Sequence, residues 1–271
     1  MPKRCPKTRF STPSEPASFD LQKHAAEAIV ENIYAHTLGL AGYSPVFLGS
    51  GVAIRWNGRA LFVTADHVIK DVDDSQILFA PRPPVPLKLD DGPQEAMGGQ
   101  MHRLENLPII RRYRREDIDI AALEVPLAIE EQTPLFRFYD LSDSSKLPPK
   151  MPEHVTMIGF PSDALQQPAS GVWTFSGHLL IAQPRRYTGQ RLKKFLPRSN
   201  FLLGFPPAAD GRDPHGFSGA GIWYQINSSK KELWTPKLGL LGICTGYYEH
   251  SQLLCALRIE RILTFLRNFV R

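Results

Sequence analysis

The sequence predicts an all-β protein with a helix added at each end, and three observations carry that prediction. Short runs of β-branched, aromatic and aliphatic residues recur between clusters of Gly, Pro, Asn and Asp through most of the chain, the pattern of strands joined by turns. Apolar residues at three- and four-residue steps are confined to Phe19–Leu40 near the start and Glu260–Phe269 at the end, which is the period of an amphipathic helix. Finally, Gly216-Phe217-Ser218-Gly219-Ala220-Gly221 sets one hydroxyl among glycines directly ahead of the β-forming Ile222-Trp223-Tyr224. That is a tight turn feeding a buried strand.

Taken in order, residues 1–18 are rich in Pro, Ser and Lys and are predicted to be a disordered tail, with too little apolar surface to offset chain entropy. Residues 19–43 read as a helix with Leu21, Ala25, Ala28, Ile29, Ile33, Tyr34 and Leu38 on one face, closed by Gly39 and Gly42. It is expected to pack on the surface of the remaining chain; a regulatory protein partner docking on it is the competing reading. Residues 44–271 read as one domain of two lobes, about 44–125 and 154–271.

The first lobe opens with Val46–Trp56, a primed turn at Asn57-Gly58 and a second strand at Arg59–Ala65. Gln76–Ala80 is a further strand, the Pro-rich segment 81–93 a surface loop, and Met101–Tyr113 and Ile118–Val125 complete the lobe. Residues 126–152 read as the connection between lobes. In the second lobe the strands are His154–Pro161, Val172–Ile181, Asn200–Phe205, Leu238–Thr245 and Gln252–Ile259, with a basic loop over 185–197. Ile262, Leu263, Leu266 and Phe269 share one face of the closing helix.

A serine hydroxyl is a poor nucleophile near neutral pH, so covalent chemistry at Ser218 needs a base beside it and a group that orients the base. Of the eight histidines, His67 stands at the end of the strand-like run Leu61–Ile69. Two carboxylates, Asp117 and Asp119, stand at the mouth of the apolar run Ile118–Val125.

Thr64-Ala65-Asp66-His67-Val68, Asp119-Ile120-Ala121-Ala122-Leu123 and Gly216-Phe217-Ser218-Gly219-Ala220 resemble the histidine, aspartate and serine motifs of trypsin-like (chymotrypsin-fold) serine peptidases. They come in that family's order, and the resemblance spans roughly residues 44–268. It is closest to the intracellular HtrA-like bacterial branch, whose second lobe opens with a strand similar to His154–Pro161; no stretch is left to encode a PDZ domain. The resemblance implies two six-stranded antiparallel β-barrels and a serine endopeptidase that cleaves protein or peptide substrates through an acyl-enzyme on Ser218. His67 would be general base and then acid, and Asp119 would fix its tautomer. The N–H groups of Gly216 and Ser218 would form the oxyanion hole. Asp119 is preferred to Asp117 because the family pattern places Ala two residues after its aspartate, and Ala121 fits only that register.

The same resemblance makes Arg212, His215, Thr245 and Tyr247 candidates for the substrate pocket, with Arg212 and Asp213 an ambiguous pair there and an ordinary loop residue the competing reading of His215. Asp66 departs from the pattern, standing where the family has a small residue, and is expected to be a solvated turn residue. Ala220 replaces a glycine. Phe217 replaces the aspartate that trypsin-like zymogens use to bind a newly cut N-terminus, so it is expected to be a buried anchor, and trimming to Gly42 is expected to leave activity unchanged. A catalytically silent binding or regulatory module with the same fold is the second reading.

Composition narrows the class. A chain of 271 residues can bury a sizeable core. The net charge of +5 and pI near 9.1 arise from Arg111-Arg112, Arg114-Arg115, Arg185-Arg186 and Lys193-Lys194. These are spread without an RNA- or DNA-binding motif and read as solvated faces rather than a nucleic-acid site. Cys5, Cys244 and Cys255 exclude a disulfide framework, which points to a reducing compartment, and no apolar run is long enough to cross a bilayer. The expected location is the cytoplasm. Cys244, His250 and Cys255 read as packing residues, and neither a metal nor another cofactor is expected.

Overall fold

The structure is a computed structural model that describes residues 16–42, 47–80, 101–102, 106–129, 136–141, 148, 150–161, 165–169, 172–175, 177–189, 192–205, 214–226 and 237–270. Along the chain, α1 (Pro16–Ala35) is followed by β1 (Thr37–Ala41), β2 (Phe47–Trp56), β3 (Arg59–Thr64), α2 (Asp66–Ile69) and β4 (Leu78–Ala80). Next come β5 (Met101–His102), β6 (Arg111–Arg115), β7 (Ile120–Val125) and β8 (Tyr139–Asp140). The second half contains β9 (Val155–Gly159), β10 (Leu165–Ala169), β11 (Val172–Phe175), β12 (His178–Ala182), β13 (Pro184–Arg185) and β14 (Asn200–Gly204). It ends with β15 (Gly221–Ile226), β16 (Lys237–Tyr248), β17 (Leu253–Arg258) and α3 (Ile259–Phe269).

Two seven-stranded sheets form the two lobes. The first runs β4-β1-β2-β3-β7-β6, with β8 added in parallel to β2; the second is antiparallel and runs β12-β9-β15-β16-β17-β14-β13. Six strands per lobe were implied, and each sheet exceeds that by one short strand. The β2–β3 hairpin turns at Asn57 and Gly58, both with positive φ (47° and 75°), the primed geometry that matches strand twist.

Three stretches, one predicted helix end and two predicted strands, depart from the expected layout. The helix predicted to reach Leu40 ends at Ala35, and all five residues of β1 are buried in the first lobe. Thr37 and Gly39 are weak helix formers, and pairing Thr37–Ala41 with β2 on one side and β4 on the other satisfies the backbone that a helix would have used. Met101–Tyr113 divides: β5 pairs with β11 in a small three-stranded sheet, while β6 pairs with β7. Val172–Ile181 divides at Gly177, whose N–H donates to Tyr34 Oη at 2.8 Å and where a Cβ would collide with that phenol. The stretch read as an inter-lobe connection also supplies Phe136 and Phe138, whose rings pack 5.3 and 5.4 Å from Phe62 in the first core. Residues 1–15 of the predicted tail lie outside the described residues, and α1 starts at Pro16 rather than at 19.

Each lobe has its own core, and a third apolar cluster joins them. This shared cluster combines Ile54, Tyr113 and Ile120 of the first lobe with Ile158, Phe160 and Trp223 of the second, and both terminal helices feed it. Val30, Ile33 and Tyr34 enter from α1; Ile262, Leu263, Phe265 and Leu266 enter from α3. Val30, Ile33 and Tyr34 of α1 are thus buried inside the molecule. The main chain beyond it is tied as well, by Ala53 N–H to His36 O and Arg137 N–H to Ala35 O. Trimming to Gly42 would remove β1 and the part of this core that α1 supplies. Ile33→Ala, at a site with no exposed surface, is expected to lower unfolding free energy by about 2–5 kcal/mol in a denaturant titration. A loss below about 0.5 kcal/mol would mean that α1 lies outside the cooperative core.

Candidate active site

His67 rides on α2, a single helical turn that leaves β3 and is anchored by the buried Val68 and Ile69. Asp119 follows a short 3₁₀ turn and precedes β7, with φ 53° and ψ 54°, a left-handed position that aspartate tolerates better than most side chains. Both of its oxygens face the histidine: Oδ2 lies 2.8 Å from His67 Nδ1, and Oδ1 accepts the backbone N–H of His67 at 3.0 Å. Burial pushes the Asp119 carboxyl upward. The hydrogen bonds and charge of His67, with a contribution from Lys194, outweigh that and hold it below the ordinary carboxylate range. An ionised carboxylate only accepts, so Nδ1 carries the ring proton and Nε2 is left as the acceptor. Asp117, the rival acid, is instead paired with Arg115 and is exposed.

The serine turn is held from beneath. Gly216 and Gly219 have φ of 99° and 88°, and a Cβ at either would collide with backbone oxygens, of Phe160 and Ser50 respectively. Phe217 is 1% exposed. It packs against Gly159, where a Cβ would lie 2.5 Å from its ring, and against Phe205 at 6.2 Å; it is the buried anchor its position implied. Of the turn's N–H groups, those of Phe217, Gly219 and Ala220 donate to Pro214 O, Cys244 O and Phe217 O. Among the described residues no acceptor takes the N–H of Gly216 or Ser218.

Ser50 was not singled out in the sequence, yet it joins the two motifs. Its N–H donates to Ser218 O at 2.8 Å, and its hydroxyl donates to Gly216 O at 2.6 Å while accepting the Phe160 N–H at 2.9 Å. Its carbonyl accepts the Thr64 hydroxyl at 2.7 Å. Next to it, a Cβ on Gly49 would sit 2.8 Å from both Ser218 O and Val68 Cγ2, so the serine turn and the histidine helix approach each other across a bare backbone. The signal was Gly49-Ser50-Gly51, since small residues inside a strand mark the close approach of another backbone. Among the described residues no hydrogen bond joins Ser218 Oγ to the His67 ring.

Asp66 is not the solvated turn residue expected. It is 1% exposed and forked to Arg114, with Nε to Oδ1 at 2.6 Å and Nη2 to Oδ2 at 3.0 Å. The reason is register: Arg114 pairs with Ala121 and Ala121 with Thr64, so Asp66, two residues past Thr64, reaches over β7 to the guanidinium. The neighbouring arginines of β6 are also engaged. Arg112 binds Asp74 and the carbonyls of Ile69 and Val72, and Arg115 binds Asp117.

Of the pocket residues, Thr245 and Tyr247 lie on β16, where pairing with β15 stops at Ile243 and, among the described residues, only β17 continues alongside. Tyr247 packs its ring 5.3 Å from Phe205. His215 is exposed on the serine turn, and Arg212 lies outside the described residues. Cys244 and Cys255 are buried free thiols, the former pushed up to about 12 by burial, and His250 is exposed. Among the described residues no three His, Cys, Asp or Glu side chains gather as a metal site would require, and no helix is long and apolar enough to cross a membrane.

Ser50→Ala removes both hydroxyl bonds and leaves the Phe160 N–H and Gly216 O buried. It is expected to cost about 1–3 kcal/mol by denaturant titration. Arg114→Leu leaves Asp66 as an unpaired buried carboxylate and is expected to cost about 3–5 kcal/mol. Asp117→Asn, breaking an exposed pair, should cost under about 1 kcal/mol. If Arg114→Leu were as mild as Asp117→Asn, the buried ion pair would not be a structural requirement.

In sequence the chain matches no protein-family model, and no curated protein matches it. In three dimensions it is similar to the crystal structure of a scabies mite inactivated protease paralogue. The TM-score is 0.54 at 14% identity, and the match covers 87% of this chain and 95% of that one. At that identity the likeness speaks for the fold: the chain has the all-β, two-lobed architecture of chymotrypsin type, extended by a helix at each end.

Proposed function

We propose that this protein is a serine endopeptidase that cleaves polypeptides through an acyl-enzyme on Ser218. The observation that carries the proposal is the double grip of Asp119 on the backbone and ring of His67, beside a serine turn with two unspent N–H groups. In this reading His67 Nε2 takes the Ser218 proton as Oγ attacks the scissile carbonyl, and Asp119 stabilises the imidazolium that forms. The N–H groups of Gly216 and Ser218 receive the developing oxyanion, each worth about 100- to 1000-fold in rate. His67 then protonates the leaving amine, and water, deprotonated by the same ring, releases the acyl group. The Ser218–His67 bond missing from the free enzyme would form with substrate in place, as such contacts often tighten only in the complex.

An extended substrate fits the open edge of β16 at Thr245–Tyr248, where added backbone hydrogen bonds would align it. Thr245, Tyr247 and His215 are the described candidates for side-chain recognition. We further assign the chain to the intracellular HtrA-like branch, on the likeness of His154–Pro161, and to the cytoplasm, on its cysteine usage. The competing reading, a silent binding or regulatory module, is favoured by the structural neighbour's being an inactivated protease paralogue. A fluorophosphonate probe separates the two. Labelling that Ser218→Ala abolishes supports the enzyme, and a folded chain that resists the probe supports the module.

Two further outcomes are expected. Asp119→Asn should lower kcat by about 10⁴ through the wrong histidine tautomer, while Asp117→Asn should change it little; steady-state kinetics giving the reverse order would reassign the acid. Because Asp119 is held ionised below the ordinary carboxylate range, protonation of the histidine sets the acid limb. The profile of kcat/KM should fall on the acid side, where the base is lost, and a rate independent of pH from 5 to 8 would remove the histidine from the mechanism.

A further inference from the structure

The peptidase reading leaves the basic loop between β13 and β14 without a role. From Arg185 to Arg198 it carries six Lys or Arg residues and no Asp or Glu. The described part of this loop is built into the lobe. Tyr248 Oη donates to Lys193 O at 2.8 Å, Asn200 Oδ1 accepts the Leu196 N–H at 3.1 Å, and the rings of Tyr187 and Phe195 meet at 4.8 Å. Lys193 and Lys194 occupy the turn at its end, Lys194 with φ 61°.

That turn borders a cleft of about 920 Å³ lined by Asp119, Lys193, Lys194, Thr245, Tyr247 and Tyr248, among others. Its charges are unevenly spent. Asp119 is committed to His67 and Asp117 to Arg115, which leaves Glu116 as the only other acid in the lining. Among the described residues neither Lys193 nor Lys194 forms an ion pair. Two exposed lysines, one of which also lends its charge to Asp119, therefore border a cleft whose lining includes Thr245, Tyr247 and Tyr248 of β16. A chain laid along the edge of β16 would pass both lysines.

We propose that this cleft selects polypeptides by acidic side chains, with Lys193 and Lys194 binding Asp or Glu of a segment that adds to the edge of β16. The proposal deepens the peptidase reading, on which its consequence for cleavage rests, but the binding step does not depend on hydrolysis. Nucleic acid would satisfy the cations equally, yet β6 has already spent Arg112, Arg114 and Arg115 on carboxylates. What remains is a local charge beside a strand edge, which fits an extended peptide.

The test uses the full chain carrying Ser218→Ala and fluorescence anisotropy with two pools of short labelled peptides, one rich in Asp and Glu and one with Asn and Gln in their place. The acidic pool should bind about fivefold tighter at low salt, as two partly exposed ion pairs would give, and the preference should shrink at high salt. Lys193→Gln with Lys194→Gln should abolish the preference, and Arg185→Gln with Arg186→Gln, away from the lining, should preserve it. Equal binding of the two pools, or a preference that survives loss of both lysines, overturns the proposal. So does an unlabelled single-stranded oligonucleotide that displaces the acidic pool more strongly than acidic peptide does. Hydrolysis by the unmodified chain keeps the two readings apart. Lysine-dependent acidic binding with no cleavage would sink the peptidase and leave this site standing, whereas cleavage without acidic preference would do the opposite.

Discussion

The main chain and hydroxyl of Ser50 hold the two lobes in the relation that the site needs. One fully buried residue of β2 binds the carbonyls of Gly216 and Ser218, the N–H of Phe160 and the hydroxyl of Thr64. The peptide between Gly216 and Phe217 is consequently bound at both ends, its oxygen by Ser50 and its N–H by Pro214 O. The flanking peptides carry the two N–H groups left without acceptors. Each such bond contributes only about 1 kcal/mol net, but several converging on one residue allow few other conformations of the turn. Gly49 and Gly219 complete the arrangement by letting backbone approach backbone where a side chain would intervene.

Hydrogen bonds can align the lobes only if the lobes are already pressed together, and the shared apolar cluster does that. Its unusual contributor is α1, which inserts Tyr34 against Phe160 at 6.2 Å and into the break between β11 and β12. Phe160 in turn sits under Gly216. A continuous line of packing therefore runs from the N-terminal helix to the serine turn, with Phe217 buried at its end. Packing thus holds the residue before the serine, Phe217, which lies against Gly159 and Phe205.

Charge follows the same economy. The arginines of β6 look like a basic stripe in one dimension, but three of them close carboxylates from neighbouring segments: Asp74, Asp66 and Asp117. The Asp66–Arg114 pair spans β7 and brackets the turn that presents Asp119. It leaves His67 with one carboxylate to answer to. Among the described residues Lys193 and Lys194, which form no ion pair, stand instead on the loop beside the cleft.

The sequence by itself determined the all-β class, the closing helix, the β2–β3 hairpin and the residues at which His67, Asp119 and Ser218 stand, because strand period, turn chemistry and short motifs are local properties. The family resemblance added the reason to prefer Asp119, in the position of Ala121, and to expect Phe217 as an anchor. Tertiary structure decided the rest. Leu38 continues the helical face four residues after Tyr34, while Leu38 and Leu40 together keep a strand period, and pairing with β2 and β4 made Thr37–Ala41 a strand. Gly177 divides its strand because Tyr34, 143 residues away in sequence, needs the space. Asp66 is buried because two strand registers bring Arg114 over it, and Ser50 governs the serine turn across 166 residues. Such pairings depend on which surfaces meet, and that information appears only once the lobes have packed.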